Sequence, residues 1–142
     1  MPFCHRTLRI PVPKPGYPKQ FKHLGDHVRA RRLDLGLTQR AVAQRIGVAR
    51  DTLRNWEVGR TEPEVRFLPA LIALLGYNPF PEPKTHGEVI RRARLSRGMS
   101  QARLAVLCGV DEGTIRRLEA DTPKMGRRPT GAVHRFLGLE HP

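Results

Sequence analysis

The chain contains one stretch of sequence twice, at a fixed offset of 62 residues. Residues 24–57 align with residues 86–119 without a gap, and 12 of the 34 positions are identical. A repeat at constant spacing marks two copies of one supersecondary unit, so the chain must fold as a tandem pair. We call residues 24–57 the first copy and residues 86–119 the second copy. The identical pairs are Gly25/Gly87, Arg29/Arg91, Arg32/Arg94, Leu33/Leu95, Gly36/Gly98, Gln39/Gln101, Ala43/Ala105, Gly47/Gly109, Val48/Val110, Thr52/Thr114, Arg54/Arg116 and Glu57/Glu119.

Each copy is predicted to form short helices separated by glycine turns. In the first copy Gly36 ends a helix, and Thr38 is a typical N-cap for the next one. Gly47 ends that second helix where the backbone must be left-handed. Beyond the copy, the apolar residues after Pro63 predict one more helix that closes the core. The residues at helical spacing are Val28, Arg32 and Leu35 with Leu24, then Val42, Ala43 and Ile46, then Leu53 and Trp56, and finally Phe67, Leu68, Leu71, Ile72, Leu74 and Leu75.

Two proline-rich stretches divide the chain. Residues 10–18 and 77–84 are too rich in proline for helix or central strand. We therefore predict an all-α chain with two tandem small helical domains. The predicted segments are a basic, extended and poorly ordered N-terminal arm over 1–22, a first domain over 23–76, a proline-rich linker over 77–84 and a divergent second domain over 85–142.

The charge of the chain points to a polyanionic partner. The sequence carries 26 lysines and arginines against 13 acids, a formal charge of +13. Such a chain suits a phosphate backbone, because neutralised phosphates release condensed counterions. No apolar run is long enough to span a membrane and no signal segment opens the chain, so we expect a soluble, cytoplasmic, nucleoid-associated protein. Of the two cysteines, we expect Cys108 to be a small buried hydrophobic residue.

The first copy and the residues after it resemble the Cro/phage-repressor (XRE) family of helix-turn-helix transcriptional regulators. The resemblance covers residues 24–76 and extends, with more differences, to 86–139. It implies two phage-repressor-like domains and double-stranded DNA as the partner. The residues that carry it are Thr38-Gln39-x-x-x-Ala43-x-x-Ile46-Gly47-Val48-x-x-x-Thr52-Leu53-x-x-Trp56-Glu57-x-Gly59-Arg60-x-x-Pro63.

The resemblance also implies roles for individual residues. The recognition helix would span about Ala49 to Trp56 and lie in the major groove. Arginine can pair with guanine, asparagine with adenine, and aspartate can accept from a cytosine amino group. The implied base contacts are Arg50, Asp51 and Asn55. The implied backbone contacts are Gln39, Thr52, Arg54 and Arg60.

Other residues of the motif are expected to serve the fold. In the family, the residues at the positions of Arg32 and Glu57 form a largely buried ion pair, and Arg94 and Glu119 repeat them in the second copy. Breaking one partner would leave a stranded charge. We expect Trp56 in the core, because it falls on the same helix face as Leu53.

The second copy differs where DNA would be read. Acids and a glycine, Asp111, Glu112 and Gly113, replace Ala49, Arg50 and Asp51. Asp111 is also a good N-cap. A basic wing is predicted over 124–130. The second copy is therefore a second reader, a weaker one or a dimerisation copy. Its candidate DNA residues are Gln101, Glu112, Arg116, Arg117, Arg127 and Arg128.

The sequence leaves several alternatives to this interpretation. No metalloprotease, nucleophile-elbow, phosphate-loop or dinucleotide motif is present, so we expect no enzyme, cofactor, metal site or small-molecule ligand. The main alternative is a protein-interaction module of the antitoxin or adaptor type. RNA binding ranks below it, since stacking aromatics are few. A homodimer and an internal pseudo-dimer, with the linker spanning one DNA turn, remain equally open.

Overall fold

The described residues of the chain fold into eight α-helices, arranged as two similar groups of four. The computed structural model describes residues 14–122 and 127–139, and only the backbone of residues 127 and 128. No strand occurs within these ranges. The helices are α1 (Leu24–Asp34), α2 (Gln39–Ile46), α3 (Arg50–Glu57), α4 (Leu68–Leu75), α5 (His86–Ser96), α6 (Gln101–Cys108), α7 (Glu112–Glu119) and α8 (Arg127–Leu137), with a 3₁₀ turn at Val65–Phe67.

Local chemistry sets the ends of these helices. The Thr38 hydroxyl accepts a hydrogen bond from the Ala41 amide at the start of α2, which satisfies one of the free N–H groups there. Gly47 then ends α2 with a φ of 84°, a left-handed conformation that favours glycine. The predicted cap and the predicted turn are both confirmed. The third helix begins at Arg50 and ends at Glu57, one residue later at each end than predicted.

The first core joins α1, α2, α3 and α4. Its fully buried side chains include Val28, Leu53 and Leu71. Trp56 is 3% exposed and its ring packs against the tilted ring of Phe67, 5.5 Å away centroid to centroid, so its predicted place in the core is confirmed. Leu35, the last residue of the helical spacing predicted for α1, is 42% exposed, because it lies just past the end of the helix.

The second core joins α5, α6, α7 and α8. Apolar side chains from all four helices fill it, and the Nε2 atoms of His86 and the fully buried His134 lie 2.5 Å apart across α5 and α8. Cys108 packs against this core but is half-buried rather than buried. Its burial raises the pKa of the thiol, which disfavours the reactive thiolate.

The N-terminal segment differs from the prediction. Residues 14–22 have no regular secondary structure, but they pack against α1 instead of extending away from it. The Lys14 ammonium donates to the Leu33 carbonyl at 2.8 Å, and the Tyr17 hydroxyl donates to Asp34 at 3.3 Å. Residues 14–22 of the predicted arm are therefore held by contacts with α1, whose C-terminal end offers these polar groups a carbonyl and a carboxylate. Residues 1–13 lie outside the described part of the chain.

The proline-rich segment 77–84 also packs against its neighbours. It has no regular secondary structure, as its composition predicts. However, the Asn78 amide donates to the Ser96 hydroxyl at 2.9 Å, and Phe80 packs against the first core. Glu82 accepts both guanidinium hydrogen bonds of Arg92. The proline-rich linker predicted over 77–84 thus connects the two groups of helices and also makes direct contacts with both.

The second half of the predicted basic wing is helical. Residues 127–130 form the first turn of α8, because a proline at the third helical position needs no intrahelical N–H bond. Residues 124–126 lie outside the described part.

Candidate nucleic-acid interface

The first copy presents two helices joined by a tight turn. Helix α2 ends at the left-handed Gly47, and α3 begins three residues later at Arg50. Both helices pack on each other and α3 also packs on α1, so the turn holds α3 at a fixed angle. This is the arrangement in which a first helix crosses the DNA backbone and a second enters the major groove.

The three residues predicted to contact bases lie together on α3. The side chains of Arg50 and Asp51 are 60% and 81% exposed, and the Arg50 guanidinium lies 3.6 Å from the Asp51 carboxylate. Asn55 is half-buried one turn after Asp51, where i and i+4 share a helix face. The main-chain carbonyl of Asn55 accepts from the Arg60 amide at 2.9 Å, which ties the following loop to α3.

The residues predicted to touch the backbone lie around this face. Thr52 is half-buried, whereas Arg54 and Arg60 are exposed. Within the described part of the chain, neither arginine side chain forms a hydrogen bond or an ion pair. Two positive charges are therefore available for an anionic ligand.

Gln39 is held by the core of the first copy. Its side-chain amide donates to Glu57 Oε2 at 2.9 Å. Both carboxylate oxygens of Glu57 also accept from Arg32, at 2.6 and 2.9 Å, and the Glu57 side chain is only 2% exposed. An amide carries two hydrogens, so one hydrogen of Gln39 remains available for a phosphate oxygen.

The second copy repeats this buried network. Arg94 donates to both oxygens of Glu119 at 2.5 and 2.9 Å, and the Gln101 amide donates to the same carboxylate at 2.8 Å. Arg94 also donates to the Met99 carbonyl at 2.8 Å, as Arg32 does to Leu37 in the first copy. The two copies thus share their internal polar frame.

The exposed face of α7 differs from that of α3. Asp111 caps α7 by accepting from the Thr114 amide and hydroxyl, and these hydrogen bonds lower the pKa of its carboxyl group. Glu112 pairs with Arg116 at 3.3 Å, and Arg117 donates to the Thr114 hydroxyl at 3.2 Å. Arg127 and Arg128 open α8, and their side chains are outside the description.

The structure adds basic residues that the sequence reasoning did not assign. Arg40 and Arg45 are exposed on α2, beside the predicted recognition helix. Arg91 of α5 borders a polar recess in the second copy. Arg91 and its counterpart Arg29 were already visible as an identical pair in the repeat, and that identity was the signal that could have singled them out.

In residues 14–122 and 127–139, no group of three or more histidine, cysteine or acidic side chains is placed to hold a metal ion. No helix in the same ranges is long and apolar enough to cross a membrane.

Comparison with known proteins matches both copies to one family. A family model described as Helix-turn-helix matches residues 28–80 and again residues 90–130. Together these two matches cover more than half of the chain. No curated protein and no solved structure matches the chain.

Proposed function

The chain belongs to the XRE-type helix-turn-helix family, whose members are DNA-binding regulators, and from this premise we propose that it is a sequence-specific transcriptional regulator. The proposal assigns the reading of bases to α3 of the first copy. The observation that supports it is the exposure of Arg50 and Asp51 at the start of α3, directly after the α2 turn. Arg50 and Asp51 lie at the N-terminal end of α3, and in this architecture that end of the second helix contacts base edges in the major groove.

The chemistry of these side chains suits base recognition. The Arg50 guanidinium can donate two parallel hydrogen bonds to guanine, and the Asn55 amide can pair with adenine in the same bidentate way. Asp51 can accept from a cytosine amino group, and its contact with Arg50 is between exposed groups and costs little to break.

The surrounding groups would hold the protein on the backbone. Arg54 on α3 and Arg60 just after it supply positive charge that no side chain of the described residues neutralises, and Thr52 supplies a hydroxyl. Gln39 opens α2, so its second amide hydrogen and the free backbone amides of that helix end can meet one phosphate. Such contacts position the protein without distinguishing sequences.

A protein-interaction module is the second candidate, and one observation favours it. Val106 is 73% exposed and Leu107 is 41% exposed on α6, whereas the first copy has Gln44 and Arg45 at these positions. Exposed apolar side chains on a helix are typical of surfaces that bind protein. A homodimer and an internal pseudo-dimer are both compatible with this second candidate and with the regulator. We place the regulator in the cytoplasm, associated with the nucleoid.

The proposed function is tested by selection from a random duplex library at about 150 mM salt, where protein binding through contacts with phosphates alone is weak. We expect one enriched motif. Arg50→Ala or Asn55→Ala should cost about 1–3 kcal/mol on that motif and relax one base position, and Arg60→Ala should weaken all sequences alike.

Arg135→Ala, an exposed arginine on α8, is the control and should leave the motif unchanged. Equal losses on the motif and on random DNA for Arg50→Ala would contradict the assignment of α3 as the reading helix. The absence of any enriched motif would favour the protein-interaction module.

A further inference from the structure

We propose that the second copy binds a backbone phosphate of duplex DNA through Arg91, Gln101 and Arg116, and that it grips the duplex without reading bases. This inference rests on the proposed function and assigns the second copy a part in it. It chooses among the three roles that the sequence left open for this copy.

The site is a recess where three helices of the second copy meet. Its volume is about 320 Å³. Arg91 comes from α5, Gln101 is the first residue of α6, and Arg116 comes from the exposed side of α7. Arg94, Glu119 and Ala120 complete the lining. A recess of this size admits a phosphate group, and its lining is dominated by donors.

The charges in the recess leave a net positive field. Arg94 and Glu119 neutralise each other as a bidentate pair with side chains only 6% exposed. Arg91 forms no side-chain hydrogen bond or ion pair within the described part of the chain. Two arginines therefore act on the recess beyond the neutral pair. Charge-assisted bonds from guanidinium to phosphate are about twice as strong as neutral ones.

The remaining two groups can turn to a ligand at small cost. Gln101 gives one amide hydrogen to Glu119 and keeps the other. Arg116 pairs with Glu112 at 3.3 Å, but both side chains are about half exposed or more. Exposed pairs of this kind contribute little free energy, so a phosphate can replace Glu112 as the partner of Arg116.

Comparison of the two copies separates the residues proposed to hold the DNA backbone from the residues proposed to read bases. The recess residues of the second copy have identical counterparts in the first at every position except Ala120, which Val58 replaces. The positions proposed to read bases all differ: Glu112 replaces Arg50, Gly113 replaces Asp51 and Arg117 replaces Asn55. The second copy thus keeps the parts that would position a backbone and lacks the parts that would specify a sequence.

The residues at the N-terminal end of α7 also favour a second copy that holds the backbone without reading bases. Asp111 and Glu112 place two carboxylates at the start of α7, whereas α3 of the first copy starts with Arg50. Arg117, the one basic group at a reading position, donates to Thr114 and lies 3.9 Å from Asp111. The end of α7 is therefore held by its own contacts, and its acids disfavour deep entry between two phosphate backbones.

The test measures how DNA affinity depends on salt. Full-length wild type and Arg91→Ala would be titrated onto the selected duplex and onto a random duplex, across a range of salt concentrations. Each lost phosphate contact should reduce the slope of log K against log salt by about 0.9. We expect this reduction for Arg91→Ala on both duplexes, with the ratio of the two affinities unchanged. Arg135→Ala removes the same charge outside the recess and should leave the slope at the wild-type value.

Three outcomes would overturn the proposal. The first is a slope for Arg91→Ala equal to that of Arg135→Ala. The second is a changed sequence preference in Arg91→Ala, which would make the second copy a reader. The third is binding of inorganic pyrophosphate that Arg91→Ala abolishes while the DNA slope stays intact, which would assign the recess to a free phosphorylated ligand. Failure of the proposed function is separable, because the slope is measurable on random DNA even when no motif is enriched.

Discussion

In both copies an arginine, a glutamate and a glutamine side chain form the same hydrogen-bond network, which links three helices. In the first copy Glu57 accepts from Arg32 and from Gln39, so one buried carboxylate joins the end of α3 to α1 and to the start of α2. A buried charge is tolerated only when it is paired and hydrogen-bonded. Glu57 therefore fixes the angle between the two helices that would face DNA.

Removing the charge of Glu57 should be costly. In Glu57→Gln, Arg32 would keep its charge at a site where its side chain is only 12% exposed, and we expect a loss of about 3 kcal/mol in the free energy of unfolding. Urea denaturation measures the loss. Glu64→Gln is the matched control, because the Glu64 side chain is 66% exposed and its pair with Arg66 should contribute under about 1 kcal/mol. Similar losses in both variants would show that the buried pair contributes no more to stability than the exposed pair.

The Asp121 carboxylate makes the stability of the second copy depend on pH. It follows α7 with a φ of 51°, and its carboxylate accepts from the Thr85 hydroxyl and from the Gly87 amide at 2.7 Å. These hydrogen bonds lower the pKa of Asp121 below its ordinary value of 3.8. The folded state thus favours the charged form, so the stabilisation is present above that value and is lost as the pH falls through the lowered pKa.

Asp121→Asn isolates this charge, because asparagine tolerates the left-handed backbone and keeps an acceptor oxygen. We expect the variant to have a lower urea midpoint than wild type at about pH 6 and a smaller difference at about pH 3. A difference that stays constant between the two pH values would mean that the charge of Asp121 is irrelevant to stability.

At the scale of helices, two glycines set how closely α1 and α5 approach the ends of their partner helices. A Cβ atom on Gly25 would overlap the backbone carbonyl of Trp56, and one on Gly87 would overlap the backbone of Leu118 and Glu119. Backbone cannot move aside as a flexible side chain can. The identity of these glycines in the repeat is therefore explained by helix packing.

Gly25→Ala should force α1 away from α3. Overpacking of this kind typically costs about 1–3 kcal/mol, and we expect that loss in urea denaturation. Gly113→Ala provides a control at the same place in a helix, the second residue of α7. There a new Cβ would lie 2.9 Å from the Asp111 carboxylate, which is the far end of a flexible side chain and not backbone. Because alanine also favours helix over glycine by about 1 kcal/mol, which offsets a small shift of the Asp111 cap, we expect no loss larger than about 0.5 kcal/mol. Equal effects would indicate that the close approach is not required.

The sequence predicted the helices well and the connecting segments poorly. The caps and turns could be predicted because their causes are local, a hydroxyl at Thr38 and a residue without a side chain at Gly47. The contacts of Lys14, Tyr17 and Asn78 depend on partners many residues away. Composition alone shows only that such segments are not helical. The recess at Arg91 was missed for the same reason, since three helices must come together to form it.

In the whole molecule, the two groups of helices touch each other directly. Helix α4 packs on α5, and Leu95 of α5 packs against the first core. A Cβ atom on Gly98 would lie 2.9 Å from the ring of Pro69, which shows how close α4 and the end of α5 come. Together with the contacts of segment 77–84, these packing interactions hold the two copies in one arrangement.

This arrangement predicts that the two copies unfold together. A single cooperative transition, with equal calorimetric and van't Hoff enthalpies, is expected for the wild type. Leu95→Ala removes an apolar contact between the copies and should raise the ratio of calorimetric to van't Hoff enthalpy above one, as the two groups begin to melt separately. Leu107→Ala is the control, because Leu107 is exposed on α6 and belongs to neither core.

Two separate transitions in the wild type would contradict the prediction and would indicate that segment 77–84 acts as a flexible spacer. The same measurement bears on DNA binding. If the copies unfold as one unit, the phosphate contact proposed for the second copy acts at a fixed distance from the bases that the first copy is proposed to read. Leu95→Ala should then weaken binding to the selected duplex through lost preorganisation and leave its preferred sequence unchanged. Anisotropy titrations of both variants, at a temperature where each is folded, check that expectation.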